Sequence, residues 1–507
     1  MNQMKSESRA KGVMLSYVTT VVRTVSLLLL TPLYLHFLGV EEYGFYQYVF
    51  SIAAYAVVLD FGISSVINKF AIEYRERNDK AGEENVMFYT LVFAAGSVLL
   101  IGLAGLAVGF AAPAIFGETV VHRLALTRWL LVFMIAELIM LMFQHFFEGV
   151  ILSEERYVTH RGVALAQVIL RAGFTIAFMV ADMGVISIAL GNFFGVGVCL
   201  AYEIYYCKAK LHLKVRYHGY NPQLIRDIAK LSLALCLQSV VTYLNSSVSK
   251  YVLGRSLSTA AVTIFTIALT FSSFFDEIPT VIQRLYLPQV VKLVTSGADG
   301  EKLTDFVIKP GRVQFSLVGG ILGGFILFGR QFIAMWSGEE TLEAWVIALF
   351  LMIPSVLPLI QNVCLSILTA MNKRMFRSYA LCGVAILNLV LAVILVRHIG
   401  VLGAAISSAF SLILGNNIAM NIYYKKEIHI NVGRLFKSIF KGILPCAVLT
   451  TAICSLLLLV PAKGLFWFVA ECGIFCIVYA GLLLLFGFNE EEKTMVTSLI
   501  RKVTRRG

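Results

Sequence analysis

Apolar runs of about 20 residues, the length a helix needs to cross the hydrocarbon core of a bilayer, recur from one end of the chain to the other. Fourteen are counted, from 13–37 and 45–67 through 127–148, 162–183, 231–253 and 259–287 to 464–487. They predict membrane-spanning helices and leave no room for a soluble domain. The turns "GVEEYG", "DMG", "SGEET" and "PAKG" barely reverse the chain. Three longer connections, "KFAIEYRERNDKAGEEN", "CKAKLHLKVRYHGYNPQLIRDIAK" and "KLVTSGADGEKLTDFVIKPGR", are polar and mixed in charge. They are expected to be solvated linkers with amphipathic stretches on the membrane surface. The first run follows the basic "MNQMKSESRAK", is too long for a signal-peptide core and lacks an obvious small-residue cleavage site, so it is expected to stay as the first span.

The pattern also repeats. Leu38-Gly39 precedes Asp60 by about 22 residues, and a polar turn with Asp79 follows; Leu253-Gly254 precedes Asp276 by a similar interval, and a polar turn with Asp299 follows. Transporters are often built from two related halves, so the order predicts two six-helix lobes, 1–209 and 210–425, with two further helices and a basic tail in 426–507.

Composition agrees with the pattern. The chain is 59% hydrophobic and 14% charged, with a mean hydropathy of +0.82, against roughly 25% charged residues in soluble domains. A net charge of +12 would suit nucleic acid, but the basic residues are placed by topology. With a cytoplasmic amino terminus and fourteen spans, cytoplasmic segments hold 32 Lys and Arg and outer segments six: Arg123, Arg128, Arg255, Arg330, Arg397 and Lys463. That asymmetry is the positive-inside signature of a multi-pass protein with both termini in the cytoplasm, and no nucleic-acid partner is expected. The nine cysteines include no CxxC and no His at ligand spacing, so they read as small buried apolar residues, without a metal or cofactor.

Ionisable residues inside spans are costly and usually face a bundle interior or a water-filled cavity. Here they are Arg23, Asp60, Glu137, Arg171, Lys250, Asp276, Glu277, Arg284 and Glu471. Arg23 and Arg171 lie too deep to reach an interface easily. Glu137 has no basic neighbour on its own helix, so it either pairs across helices or carries a proton. Asp276 and Glu277 precede Pro279, with Arg284 two turns further on the same face. Glu471 reads as a packing or lipid-interface residue, and His145 with Glu148 as an interfacial anchor. Arg23, Arg171 and Lys250 are the candidate anion-binding cations, Asp60, Glu137, Asp276 and Glu277 the candidate coupling or gating acids, and Arg284 a candidate gate. Such a lining suits an amphiphile with an anionic head, because arginine binds phosphate through two parallel hydrogen bonds and keeps its charge. No GxxxxGK[ST], HExxH or GxSxG occurs, so movement is expected to draw on an ion gradient, voltage or the substrate's own gradient.

Residues 35–74, "LHFLGVEEYGFYQYVFSIAAYAVVLDFGISSVINKFAIEY", closely resemble the Wzx-type polysaccharide flippases, whose first two helices run as a leucine-glycine, an acidic-Tyr-Gly turn and an "lldlGi" ending. Residues 249–268, "SKYVLGRSLSTAAVTIFTIA", look like the start of the second lobe. The resemblance implies the all-α, MATE-like fold of the multidrug, oligosaccharidyl-lipid and lipid II exporters: two six-helix lobes around a cavity that opens alternately to either side, plus two helices in longer members. It implies an undecaprenyl-pyrophosphate-linked oligosaccharide as substrate, in the bacterial cytoplasmic (inner) membrane, and carries the motif aspartate onto Asp60. Expected partners are that lipid-linked oligosaccharide, a coupling H+ or Na+, and membrane lipids. A lipid II flippase and a cation-coupled multidrug antiporter remain as alternatives within the fold, although Arg23 and Arg171 suit organic cations poorly. A membrane polysaccharide polymerase, from another class, would want a larger outer loop than 111–126.

Overall fold

The structure is a computed structural model and describes residues 2–371, 373, 375–459 and 464–494. Residues 460–463, which include Lys463 of the PAKG turn, and the basic tail beyond Thr494 lie outside the described residues. Among the described residues all regular structure is helical. Two compact units divide the chain, Met1–Thr263 and Ile264–Gly507.

In the first unit α1 (Asn2–Ala53) runs through Pro32 and breaks at Gly39, whose φ of 78° and ψ of 172° are essentially restricted to glycine. A 3-10 turn, Ala54–Asp60, follows. Phe61 and Gly62 then pass through the left-handed region, with φ of 52° and 65°, before α2 (Ile63–Glu76). The "VLDFG" motif is therefore a helix break rather than helix interior. Then come α3 (Lys80–Phe110), α4 (Ala112–Phe116), α5 (Glu118–Val121), α6 (Leu124–Ser153), α7 (Tyr157–Val180), α8 (Ile186–Ala209) and α9 (Pro222–Ser256). Ile67 and Ala71 of α2, Ala94 and Ile101 of α3, and Met142 and Phe146 of α6 form the core between those three helices. Helix α9 is tied to the same unit by Tyr251, which donates to the Ile115 carbonyl at 2.9 Å.

The second unit takes up α10 (Thr259–Thr295) from Ile264 onward. It continues through α11 (Gly300–Ser337), α12 (Glu343–Ile360), α13 (Asn362–Ala370), α14 (Met375–Ile399), α15 (Val401–Leu412), a π-turn at Ile413–Ala419, α16 (Met420–Glu427), α17 (Val432–Phe440), α18 (Ile443–Cys454) and α19 (Leu465–Leu482). Helix α11 packs against α12, α17, α18 and α19. Its Arg312, 4% exposed, donates to the carbonyls of Ser438, Lys441 and Gly487 at 2.8–2.9 Å and pairs with Glu492 at 2.7 Å. A buried guanidinium is tolerable there because backbone carbonyls and a carboxylate take up its donors.

Eleven helices among the described residues are long and apolar enough to cross a membrane, or twelve if the bent pair Val432–Phe440 and Ile443–Leu459 forms one span. The expected fourteen is thus an approximate count. Part of the difference is Met14–Glu76, which counts once although its 63 residues are far longer than a single crossing requires.

The connection after α8 is not a solvated linker. His218 N–H donates to Asn85 Oδ1 at 2.8 Å, the Gly219 carbonyl accepts from Tyr89 at 2.8 Å, and Leu211, Leu213 and Val215 pack on the α2–α3–α6 core. The apolar alternation in "KLHLKVRY" explains why it docks: every second residue faces the core. The second unit repeats the device. Ile428 and Ile430 are buried around exposed His429, Asn431 N–H donates to Thr304 Oγ1 at 3.1 Å, and His212 and His429 are both left-handed, with φ of 49° and 52°. The paired aspartates of the sequence repeat are helix caps: Asp79 accepts from Gly82 N–H at 2.8 Å and Asp299 from Lys302 N–H at 2.9 Å.

Candidate functional site

A polar ladder crosses the first unit at membrane depth. On α6, Glu137, Gln144 and Glu148 are spaced seven and four residues apart and share a face; on α7, His160, Gln167 and Arg171 do the same. The two sets meet rung by rung. Arg171 pairs with Glu137 at 3.0 Å, Gln144 and Gln167 exchange hydrogen bonds at 3.2 Å, and His160 Nδ1 lies 3.3 Å from Glu148. Glu203 of α8, 2% exposed, lies in reach of Gln144, and its Oε2 has no hydrogen-bond partner among the described residues. Gly195 of α8 lets the Arg171 stem lie flat on that helix; a Cβ there would press on Arg171 Cγ and backbone.

Asp60 extends the ladder from the helix break. Its carboxylate bonds His145 Nδ1 at 2.8 Å, one turn before Glu148 on α6. The left-handed step at Phe61 and Gly62 ends the 3-10 turn at Asp60 and starts α2 afresh. Nearer the Gly39 break, Lys250 donates to Gln47 at 3.2 Å, Gln47 to the Tyr43 hydroxyl at 3.0 Å, and Asn192 to the Tyr46 hydroxyl at 3.3 Å.

Two roles that the sequence analysis keeps apart are thereby joined, because the candidate cation Arg171 and the candidate acid Glu137 are one ion pair. Glu137 is 8% exposed but Arg171 31%, so the guanidinium is the open partner. Glu137 engages the guanidinium at Nη2, while Nε is buried and without a partner among the described residues. The exposed part of this fixed, permanently charged fork suits an incoming phosphate oxygen. The expectation for His145 is corrected: it anchors Asp60 rather than the interface. Glu471 is buried in the second unit rather than lipid-facing. Arg23 and Arg284 are exposed. Asp276 presents a buried Oδ1 without a hydrogen-bond partner among the described residues, near Ser355, while Pro279 next to it interrupts the α10 ladder and gives its carbonyl to Gln314 at 3.1 Å. Gln144, His160 and Gln167 escape a search for charges in spans, although the matching seven-and-four spacing on α6 and α7 is visible in the sequence; Glu203 is a charge inside the predicted span 185–207 that the sequence analysis passes over.

Residues 9–291 match the family described as "Polysaccharide biosynthesis protein". The chain belongs to this family. It is the Wzx-type flippase family of the multidrug, oligosaccharidyl-lipid and polysaccharide exporter superfamily. No curated protein matches the chain in sequence. Among solved structures, this polysaccharide biosynthesis protein is similar to lipid II flippase MurJ in an inward closed conformation, with TM-score 0.68 and 15% identity over 94% of this chain and 98% of that one. It is also similar to an inward-facing MATE family multidrug resistance transporter, with TM-score 0.66 and 13% identity over 83% and 96%. A Vibrio cholerae MATE transporter follows at TM-score 0.52 and 14% identity over 84% and 98%. At these identities the likeness is one of fold, and it establishes the MATE-like class.

Proposed function

We propose that this family member turns an undecaprenyl-pyrophosphate-linked oligosaccharide from the cytoplasmic to the outer leaflet of the bacterial inner membrane by alternating access. What supports the reading is Arg171, a membrane-depth guanidinium held by one carboxylate and partly exposed, in a polysaccharide biosynthesis family. The pyrophosphate meets Arg171 and Arg23, with Lys250 beside the Gln47–Tyr43 cluster; the glycan stays hydrated and the prenyl chain stays in lipid. Residues 1–209 and 210–425 are the two lobes that rock about that site, and 426–507 adds the appended helices. Asp60, Glu137, Asp276 and Glu277 act as coupling or gating acids for H+ or Na+, and Arg284 as a gate. The protein is a carrier and makes or breaks no covalent bond.

Deletion of the chain should leave a complete pyrophosphate-linked oligosaccharide accumulated on the cytoplasmic leaflet, read by lipid extraction and mass spectrometry. Accumulation of lipid II in its place would assign the protein to the peptidoglycan precursor, and no accumulation of either lipid would remove the flippase reading.

A further inference from the structure

The strap between α8 and α9 carries side chains that transport leaves without a role. Because Leu211, Leu213 and Val215 face the core, Lys210, His212, Lys214 and Arg216 face away and are exposed, and Lys208 on the last turn of α8 adds a fifth basic residue. None of these five side chains forms a hydrogen bond or ion pair among the described residues. The next basic residue, His218, is taken up by Glu84 at 2.6 Å. The corresponding segment of the second unit carries a shorter row, exposed Lys425 and Lys426 at the end of α16 and His429, with an acid among them, Glu427, which pairs with Lys373 at 2.9 Å. A second observation concerns tyrosines. Tyr202 and Tyr205 of α8 and Tyr217 and Tyr220 of the strap are large exposed rings, Tyr205 at 61% and Tyr220 at 75%. Apolar rings with polar tips collect where hydrocarbon meets headgroups.

We propose that this row binds the phosphate headgroups of anionic phospholipids in the leaflet that this end of the unit faces. The cations follow directly on the end of a span, so they stand at headgroup depth, and the tyrosines mark the same depth. A phosphodiester accepts from the Arg216 fork and from lysine ammonium groups. The pins at Asn85 and Tyr89 hold the strap to the helices, so its charges act together without first being ordered on binding.

The test uses the full chain in a neutral detergent, with bound phosphatidylglycerol and phosphatidylcholine counted by native mass spectrometry. The native chain should retain phosphatidylglycerol in preference, more weakly as salt rises. Each cation removed should cost about fivefold, and Lys210→Gln, Lys214→Gln and Arg216→Gln together roughly a hundredfold. Lys214→Arg should keep the preference. If the triple variant does not fold, the Lys210→Gln and Arg216→Gln single variants carry the same test. Equal retention of both lipids by the native chain, or an unchanged preference in the variants, overturns the inference. So does displacement of phosphatidylglycerol by inorganic pyrophosphate, which would give the row to a soluble anion.

Discussion

At the scale of single residues, the Glu137–Arg171 pair separates stability from function. Arg171→Gln leaves Glu137 almost fully enclosed and unpaired, and breaking a buried pair from one side costs about 3–5 kcal/mol. The melting temperature in detergent should fall accordingly. Glu137→Gln should cost less, because Arg171 is the more open partner and keeps contact with water. The double variant Glu137→Gln/Arg171→Gln should recover most of the loss, since two amides already satisfy each other at the adjacent Gln144–Gln167 rung. Glycan export then decides the role: a stable double variant that does not export supports anion binding by Arg171, and one that exports normally reduces the pair to a structural tie. The sequence displays both residues as anomalies inside apolar runs but leaves their partnership open, because they lie on different helices, 34 positions apart. His145 is misread for the same reason. Its partner Asp60 stands 85 positions away, and only the helix break brings the two together.

At the scale of elements, periodicity reveals the helices, and the breaks depend on backbone conformations that periodicity does not report. Asp60 reads as a charge inside a span; the structure makes it the last residue of a 3-10 turn, released by two left-handed residues. Gly62→Ala tests the break. Left-handed backbone costs a residue with a Cβ about 1–2 kcal/mol, and the added methyl would also meet the Leu235 side chain of α9. The variant should melt lower and export less, as Asp60 swings away from His145. Gly173→Ala is the matched control: it sits within α7 with nothing within 4 Å of an added Cβ, so it should be neutral or slightly stabilising. Equal behaviour of the two variants would remove the break from the mechanism. The internal repeat is legible in part. The Asp79 and Asp299 turns are found from sequence, and their shared job as caps explains why both are aspartate. The Leu-His-Leu and Ile-His-Ile segments extend the repeat, with His212 and His429 217 positions apart where the two caps are 220 apart. They pass unnoticed in a chain where such apolar triplets are common.

At the scale of the molecule, the charge asymmetry fixes sidedness only together with the parity of the crossings. An odd number would place the termini on opposite sides. Met14–Glu76 at 1.5 Å per residue would be about 95 Å long, three times the hydrocarbon thickness, so it must reverse, and Gly39 is where its helix breaks. Helix α9 is not among the eleven apolar spans, which are counted over the described residues alone, yet its 35 residues exceed the length a crossing needs. Counting both, with the bent pair Val432–Phe440 and Ile443–Leu459 as one further span, takes the eleven to fourteen, an even number. Reporter fusions at the connections check this directly. Alkaline phosphatase, which needs disulfides and so an oxidising compartment, should be active after Gly117, Asp182, Gly338 and Gly400 and inactive after Asn78, Glu155, Gly219 and Gly297, positions that all adopt positive φ between helices. If α9 lies flat instead of crossing, the pattern up to Gly219 stands while Gly297, Gly338 and Gly400 all invert. That outcome would place the basic connections of the second unit outside, against the positive-inside rule, and two lobes of equal topology could no longer be drawn from this chain.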